Sequence, residues 1–221
     1  MNHQNITFTS SPESVLATSK MLKNTYALLS MTLIFSGVMA FIGTAINLGH
    51  GAALVADIIA IAMLWFALPR TANSTAGIPV IFAITGLLGL GLGPVLNHYI
   101  AVNPSIVMTA LGGTGVIFLG LSGYALTTRK DFSFMGGFLM VGMFVVLAAA
   151  LANIFLQMPV LFLVVNAVIV MIMSGLILYE TSSIIHGGET NYIMATASLF
   201  LSLINLFQAL LHLLGAFGND D

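Results

Sequence analysis

The chain has 221 residues, of which 59% are hydrophobic and only 5% charged, and its mean hydropathy is +1.09. A soluble domain carries about 25% charged residues, so five Lys and Arg with seven Asp and Glu cannot clothe a water-facing surface, and the chain belongs in lipid. A net charge of -2 with scattered basic residues leaves no nucleic-acid footprint, and the absence of cysteine excludes a disulfide framework, a thiolate metal site and a cysteine nucleophile.

The chain opens on Met1 to Ser19, rich in Ser, Thr and Asn with Glu13 its one acid. Such a stretch cannot bury enough apolar area to fold, so residues 1–23 read as a flexible tail. It lacks the charged start and short apolar run of a cleaved signal, so the first long apolar segment stays in the membrane.

Crossing the hydrocarbon core as a helix takes about 20 apolar residues. Seven predominantly apolar runs, two of them holding a single acid, approach or exceed that length between polar, Gly or Pro clusters: Tyr26 to Leu48, Ala52 to Leu68, Gly77 to Leu96, Pro104 to Thr127, Phe134 to Leu156, Pro159 to Ile185 and Ile193 to Phe217. They are continuous, whereas barrel strands would alternate polar and apolar residues. The expected architecture is an all-α membrane protein with seven transmembrane helices over residues 24–217 and a short tail at 218–221.

Links such as Gly49-His50-Gly51 and Gln157-Met158-Pro159 are so short that the helices they join must be antiparallel neighbours. Lys20 and Lys23 precede the first span, Arg70 follows the second, and Arg129 and Lys130 follow the fourth, so all five basic residues fall on one side. The positive-inside rule makes that side cytoplasmic, and seven spans then place the carboxyl terminus in the periplasm. Tyr26, Tyr99, Tyr124, Tyr179 and Tyr192 fall near span ends, where amphipathic rings favour the interface.

In the third span, Gly89 and Gly93 have the four-residue spacing that lets helix backbones approach, and Gly112, Gly113, Gly115, Gly120 and Gly123 of the fourth read likewise. An ionisable group at membrane depth is a candidate functional residue. Asp57 lies about 9 Å into the second span, close enough to the outer interface to be solvated there. Glu180, near the inner end of the sixth, is either an interfacial carboxylate or a proton sensor.

In the seventh span Ser198, Ser202, Asn205, Gln208 and His212 recur every three or four residues, so they share one face that must meet protein or water. That face is either polar adhesion between helices or the lining of an ion or proton path. Glu180 and His212 lie toward opposite ends of the bundle and do not form an acid and base pair. With no Gly-x-Ser-x-Gly elbow and no His-Glu-x-x-His pair, the chain reads as a non-enzyme without a cofactor. The glycines of His186-Gly-Gly-Glu189 read as a turn rather than as part of a metal site.

Leu178-Tyr179-Glu180-Thr181, Ser198-Leu-Phe-Leu-Ser202-Leu-Ile-Asn205-Leu-Phe207 and Leu210-Leu-His212-Leu-Leu-Gly215 together resemble the signature of the Bax inhibitor-1 (TMBIM) family of seven-helix membrane proteins. Lys23-Asn24-Thr25-Tyr26, Leu92-Gly93-Pro94, Arg129-Lys130-Asp131, Ala152-Asn153 and Ile185-His186-Gly-Gly-Glu189-Thr-Asn191-Tyr192 extend the likeness to the bacterial branch over essentially the whole chain. The resemblance implies six helices around a central seventh. In channel-like members it implies two acids that form a pH-sensitive pair gating a calcium leak. The first acid maps onto Glu180 and the second onto Ser202, a departure that removes one carboxylate of the pair. For the bacterial branch it implies an inner-membrane protein associated with the ATP-dependent protease FtsH, both as a substrate and as a brake on degradation of other membrane proteins. Conduction of calcium or protons is the alternative, with Glu180 and Ser202 as the sensing pair and Asn205, Gln208 and His212 as the polar path.

Overall fold

The computed structural model describes residues 12–218, with side chains from residue 16 onward. Its helices are α1 (Pro12–Ala45), α2 (His50–Ala62), α3 (Leu68–Thr71), α4 (Gly77–Gly91), α5 (Gly93–Val102), α6 (Pro104–Thr128), α7 (Met135–Leu156), α8 (Pro159–Ile185) and α9 (Tyr192–Phe217). A π-helical turn, Met63–Ala67, joins α2 to α3, so α2–α3 is the second span, α4–α5 the third, and seven helices are long and apolar enough to cross a bilayer.

Most span ends lie within two residues of those expected, but the second span runs three residues further, to Thr71, the third six further, to Val102, and α1 departs most. It begins at Pro12, inside the expected flexible tail of residues 1–23; residues 1–11 and 219–221 lie outside the described residues. Met21 and Leu22 pack against the core that contains Leu29, and Thr25 is fully buried, so tertiary contacts hold residues whose composition alone argues for a coil. At 34 residues α1 is about 51 Å long, well beyond a hydrocarbon core of about 30 Å, and Lys20 and Lys23 ride on the overhang. Asn47, at φ 50°, ends α1 with the Leu48 amide bonded to the Gly43 carbonyl, the left-handed closure that Asn tolerates.

Two spans are broken by proline. Pro69 has no N–H for the Trp65 carbonyl, and the preceding turn widens until the Leu68 amide reaches Met63. Pro94 likewise leaves the Leu90 carbonyl without its helical donor, and the Leu92 amide turns to Gly89 at 3.0 Å. That second break is seated on α1: a Cβ on Gly93 would lie 2.6 Å from the Gly43 carbonyl carbon, and one on Gly43 would lie 2.6 Å from the Leu90 oxygen. Gly89 presses on Ser36 in the same way, so the third-span glycines do serve close packing. The fourth-span glycines do not. Nothing would meet a Cβ at Gly112, Gly115, Gly120 or Gly123, and Gly113 touches only Leu210 at 3.5 Å.

The core is built on α9, whose Leu199, Phe200, Leu203, Leu206 and Leu211 are buried. The helix packs against α8, α6, α1 and α4, while α2 covers α4 and α7 covers α8 from outside. The central seventh helix is therefore touched directly by four spans, with the other two completing the shell.

Candidate functional site

Glu180 stands five residues before the end of α8, and Ser202 stands ten residues into α9. Side chains lean toward the amino terminus of their own helix. In this antiparallel pair Glu180 therefore leans toward the bilayer centre and Ser202 leans back to meet it. The Ser202 hydroxyl donates to the carboxylate, at 3.2 Å from one oxygen and 3.3 Å from the other. Ser202 is 2% exposed and Glu180 partly buried. The two positions that the sequence analysis paired are thus in contact, as carboxylate and hydroxyl rather than as two acids.

Beside this pair lies a hydroxyl network that the sequence analysis missed. Thr181, fully buried, shares hydrogen bonds with the Tyr26 hydroxyl at 3.2 Å and the Ser122 hydroxyl at 3.3 Å, tying α8 to α1 and α6. Tyr26 is thus an internal strut rather than an interfacial anchor, because α1 continues four turns below it. The Thr196 hydroxyl shares its one proton between the Tyr192 carbonyl of its own helix at 2.7 Å and the Thr25 carbonyl at 3.2 Å, bringing α9 against α1. Ser182 accepts from the Phe132 amide at 3.0 Å and donates to the Lys130 carbonyl at 3.2 Å, holding the α6–α7 loop. The run Thr181-Ser182-Ser183 was the available signal, but its partners are 50 or more residues distant and follow no local period.

The rest of the polar stripe lies farther along α9. Asn205, Gln208 and His212 line a cleft of about 380 Å³ between α7, α8 and α9, together with Asn153 and the buried Asn166. Asn205 is exposed there, its amide donating to the Leu201 carbonyl at 2.8 Å. Nδ1 of His212 is 2.9 Å from the Tyr99 hydroxyl of α5, and Tyr99 lies across Gly215, where a Cβ would collide with its ring. Ten residues, or about 15 Å of helix, separate Ser202 from His212. The site is therefore two parts along α9, the contact with the Glu180 carboxylate of α8 below and an amide-lined cleft above, with His212 engaged to Tyr99 and not to Glu180.

Asp57 is half-buried and lies on Gly91, where a Cβ would collide with the carboxylate, so the glycine makes room for the acid between α2 and α4. Among the described residues no three His, Asp or Glu side chains cluster as a metal ion would require. His186 Nδ1 is 2.9 Å from the Ser182 carbonyl, and one Glu189 oxygen accepts from the Thr190 and Asn191 amides, so both serve the turn.

The profile described as "Inhibitor of apoptosis-promoting Bax1" matches residues 18–219. The chain belongs to the Bax inhibitor-1 family. It is 50% identical over 208 residues, 94% of each chain, to a protein of Escherichia coli K12 named "Modulator of FtsH protease YccA"; the corresponding protein of a second E. coli strain is named "Inner membrane protein YccA". An uncharacterized membrane protein of Vibrio cholerae is 48% identical over the full length of both chains, and an uncharacterized protein of Pseudomonas aeruginosa is 45% identical over 92% of both. Family membership and seven apolar helices make this a multi-span membrane protein.

Proposed function

We propose that the protein is a polytopic inner-membrane regulator that binds FtsH, both as its substrate and as an inhibitor of its action on other membrane proteins, with no catalytic activity of its own. The observation that carries this reading is half identity, over nearly the whole of both chains, to a relative named as a modulator of that protease. A folding argument supports the inhibitory part. An ATP-driven protease must extract seven packed helices one by one, and a bundle stitched across α1, α6, α8 and α9 by buried hydroxyls yields slowly, occupying the enzyme meanwhile. The handle for extraction is the amino-terminal end. The tail read from the sequence, Met1 to Ser19, overlaps α1 from Pro12 onward, and its first eleven residues lie outside the described residues.

The orientation that goes with this reading places the amino terminus in the cytoplasm and the carboxyl terminus in the periplasm. Its support is the location of Lys20, Lys23, Arg70, Arg129 and Lys130 toward one end of the bundle. Affinity capture from native membranes tests the partner: FtsH is recovered with the chain, and in a reconstituted assay the chain slows degradation of a second membrane substrate. Capture without FtsH, or unslowed degradation, removes the reading.

A second reading, a pH-sensitive leak for calcium or protons, draws on the Glu180–Ser202 contact lying below the cleft of Asn205, Gln208 and His212. In liposomes it requires an ion flux above that of empty vesicles that changes between acidic and neutral pH and is lost in Glu180→Gln. No flux, or an unaltered one in the variant, rejects it.

A further inference from the structure

We infer that the slot between the outer halves of α1 and α6 is a binding site for one acyl chain of a membrane phospholipid, held against the central helix α9. Outward of Tyr26 and Phe118, α1 and α6 flank α9 and leave a cavity of about 440 Å³ between them. Phe200, Leu203 and Phe207 of α9 are in its lining and are themselves buried. At the inner end Tyr26 of α1 and Phe118 of α6 come together, ring centroids 5.9 Å apart, and stop the slot; at the outer end Leu96 and Ile100 of α5 lean over it.

Shape and chemistry select the occupant. The α1 positions that line the slot run from Leu33 to Thr44, about 16 Å along the helix axis. Stopped at both ends, a slot of that length is about half of what a membrane-crossing helix of about 30 Å needs, so a spanning helix of a partner, or of a second copy of this chain, does not lie along it, whereas a stretch of a single hydrocarbon chain does. The lining is apolar but for three hydroxyls: those of Thr44 and Thr114 are spent on the carbonyls of Ala40 and Ala110 in their own helices, and Ser36 is buried against Gly89. The medium at this depth is itself acyl chains, and the slot opens sideways into it past exposed Phe41 and Leu111. Gly37 and Gly115 also belong to the lining, and a Cβ at either would touch nothing, so packing does not demand these two glycines while an occupied slot does.

That open space makes the test clean. The full-length chain, purified from its membrane in mild detergent, is weighed by native mass spectrometry alongside Gly37→Leu, Gly115→Leu and a control, Gly120→Leu, whose Cβ is equally unobstructed but which does not line the slot. Wild type and Gly120→Leu retain one phospholipid per chain, whereas the two slot-filling variants lose it several-fold. Equal retention in all four overturns the inference, as does a wild type that carries only detergent. Should a variant fail to fold, wild type alone decides with a phospholipid bearing a photoreactive acyl chain. Adducts concentrated within 33–44 and 107–118 support the site; adducts spread evenly onto α7, or crosslinks between two copies of the chain in their place, overturn it.

Discussion

Two kinds of glycine coexist in this chain, and substitution separates them. Gly93 meets the backbone of Gly43, so Gly93→Ala forces α1 and α5 apart and is expected to cost about 1–3 kcal/mol, read as a lower midpoint of thermal unfolding in detergent. Gly120 in α6 faces open space, so Gly120→Ala is expected to be neutral or to gain up to about 1 kcal/mol from helix propensity. Ser202 is the other decisive residue. Ser202→Ala leaves the Glu180 carboxylate without its hydroxyl donor and is expected to cost about 1–3 kcal/mol, measured in the same unfolding assay. Ser202→Asp instead sets two carboxylates side by side, and such a pair holds one proton in common. Thermal stability of that variant should therefore vary with pH more steeply than wild type, and an unchanged profile would show that the two side chains do not share a site.

At the scale of elements, the turns on the basic side are built from side chains that close helix ends. The Asn191 side chain accepts from the Ile193 and Met194 amides to cap α9, and its amide donates to the Ala72 carbonyl at 3.0 Å and to the Asn73 side chain at 2.8 Å. Asn191→Ala removes both a cap and a bridge between loops. A loss of about 2 kcal/mol is expected, about half of it retained by Asn191→Asp, which can cap but cannot donate. Asp131 performs a similar service at the entry to α7. The Ser133 hydroxyl and then the Ser133 amide, 2.9 Å away, hold its carboxyl below the usual carboxylate range. A folded-state value that is depressed stabilises above the unfolded value of about 3.9 and is lost as pH falls through the folded value. Asp131→Asn should therefore flatten the acid limb of the stability curve below about pH 4 and leave neutral pH almost unchanged. A difference appearing near neutrality would contradict the assignment.

For the whole molecule, α9 is the helix on which the others are ordered, and α7, which packs chiefly on α8, is the least embedded span. Extraction by a protease working from the amino terminus starts with α1, which packs on α4, α5, α8 and α9. Deleting residues 1–11, the part of the tail ahead of α1, is expected to slow turnover by FtsH at least several-fold. Unchanged turnover would place the handle elsewhere. A reporter fused to the carboxyl terminus should be active in the periplasm, and cytoplasmic activity there would refute either the odd span count or the orientation.

Seven spans, most of their limits outside α1 and the far end of α5, and the contact of Glu180 with the Ser202 position were legible in the chain because each rests on a strong or local signal. Hydrocarbon excludes charge, Gly and Pro mark turns, and a resemblance spanning the whole chain carries the pairing of α8 with α9. The extension of α1 to Pro12 was not legible, since Met21 and Leu22 earn their helix only from partners far along the chain. Nor was the difference between Gly93 and Gly120 legible, because the two are the same letter and only the arrival of Gly43 distinguishes them. The hydroxyl bonds from Thr181 to Tyr26 and Ser122, and the slot left between α1 and α6, likewise belong to tertiary structure. Sequence periodicity states which face of a helix is apolar or polar, but the identity of what faces it, and whether anything does, is set by how seven helices share the space around the last.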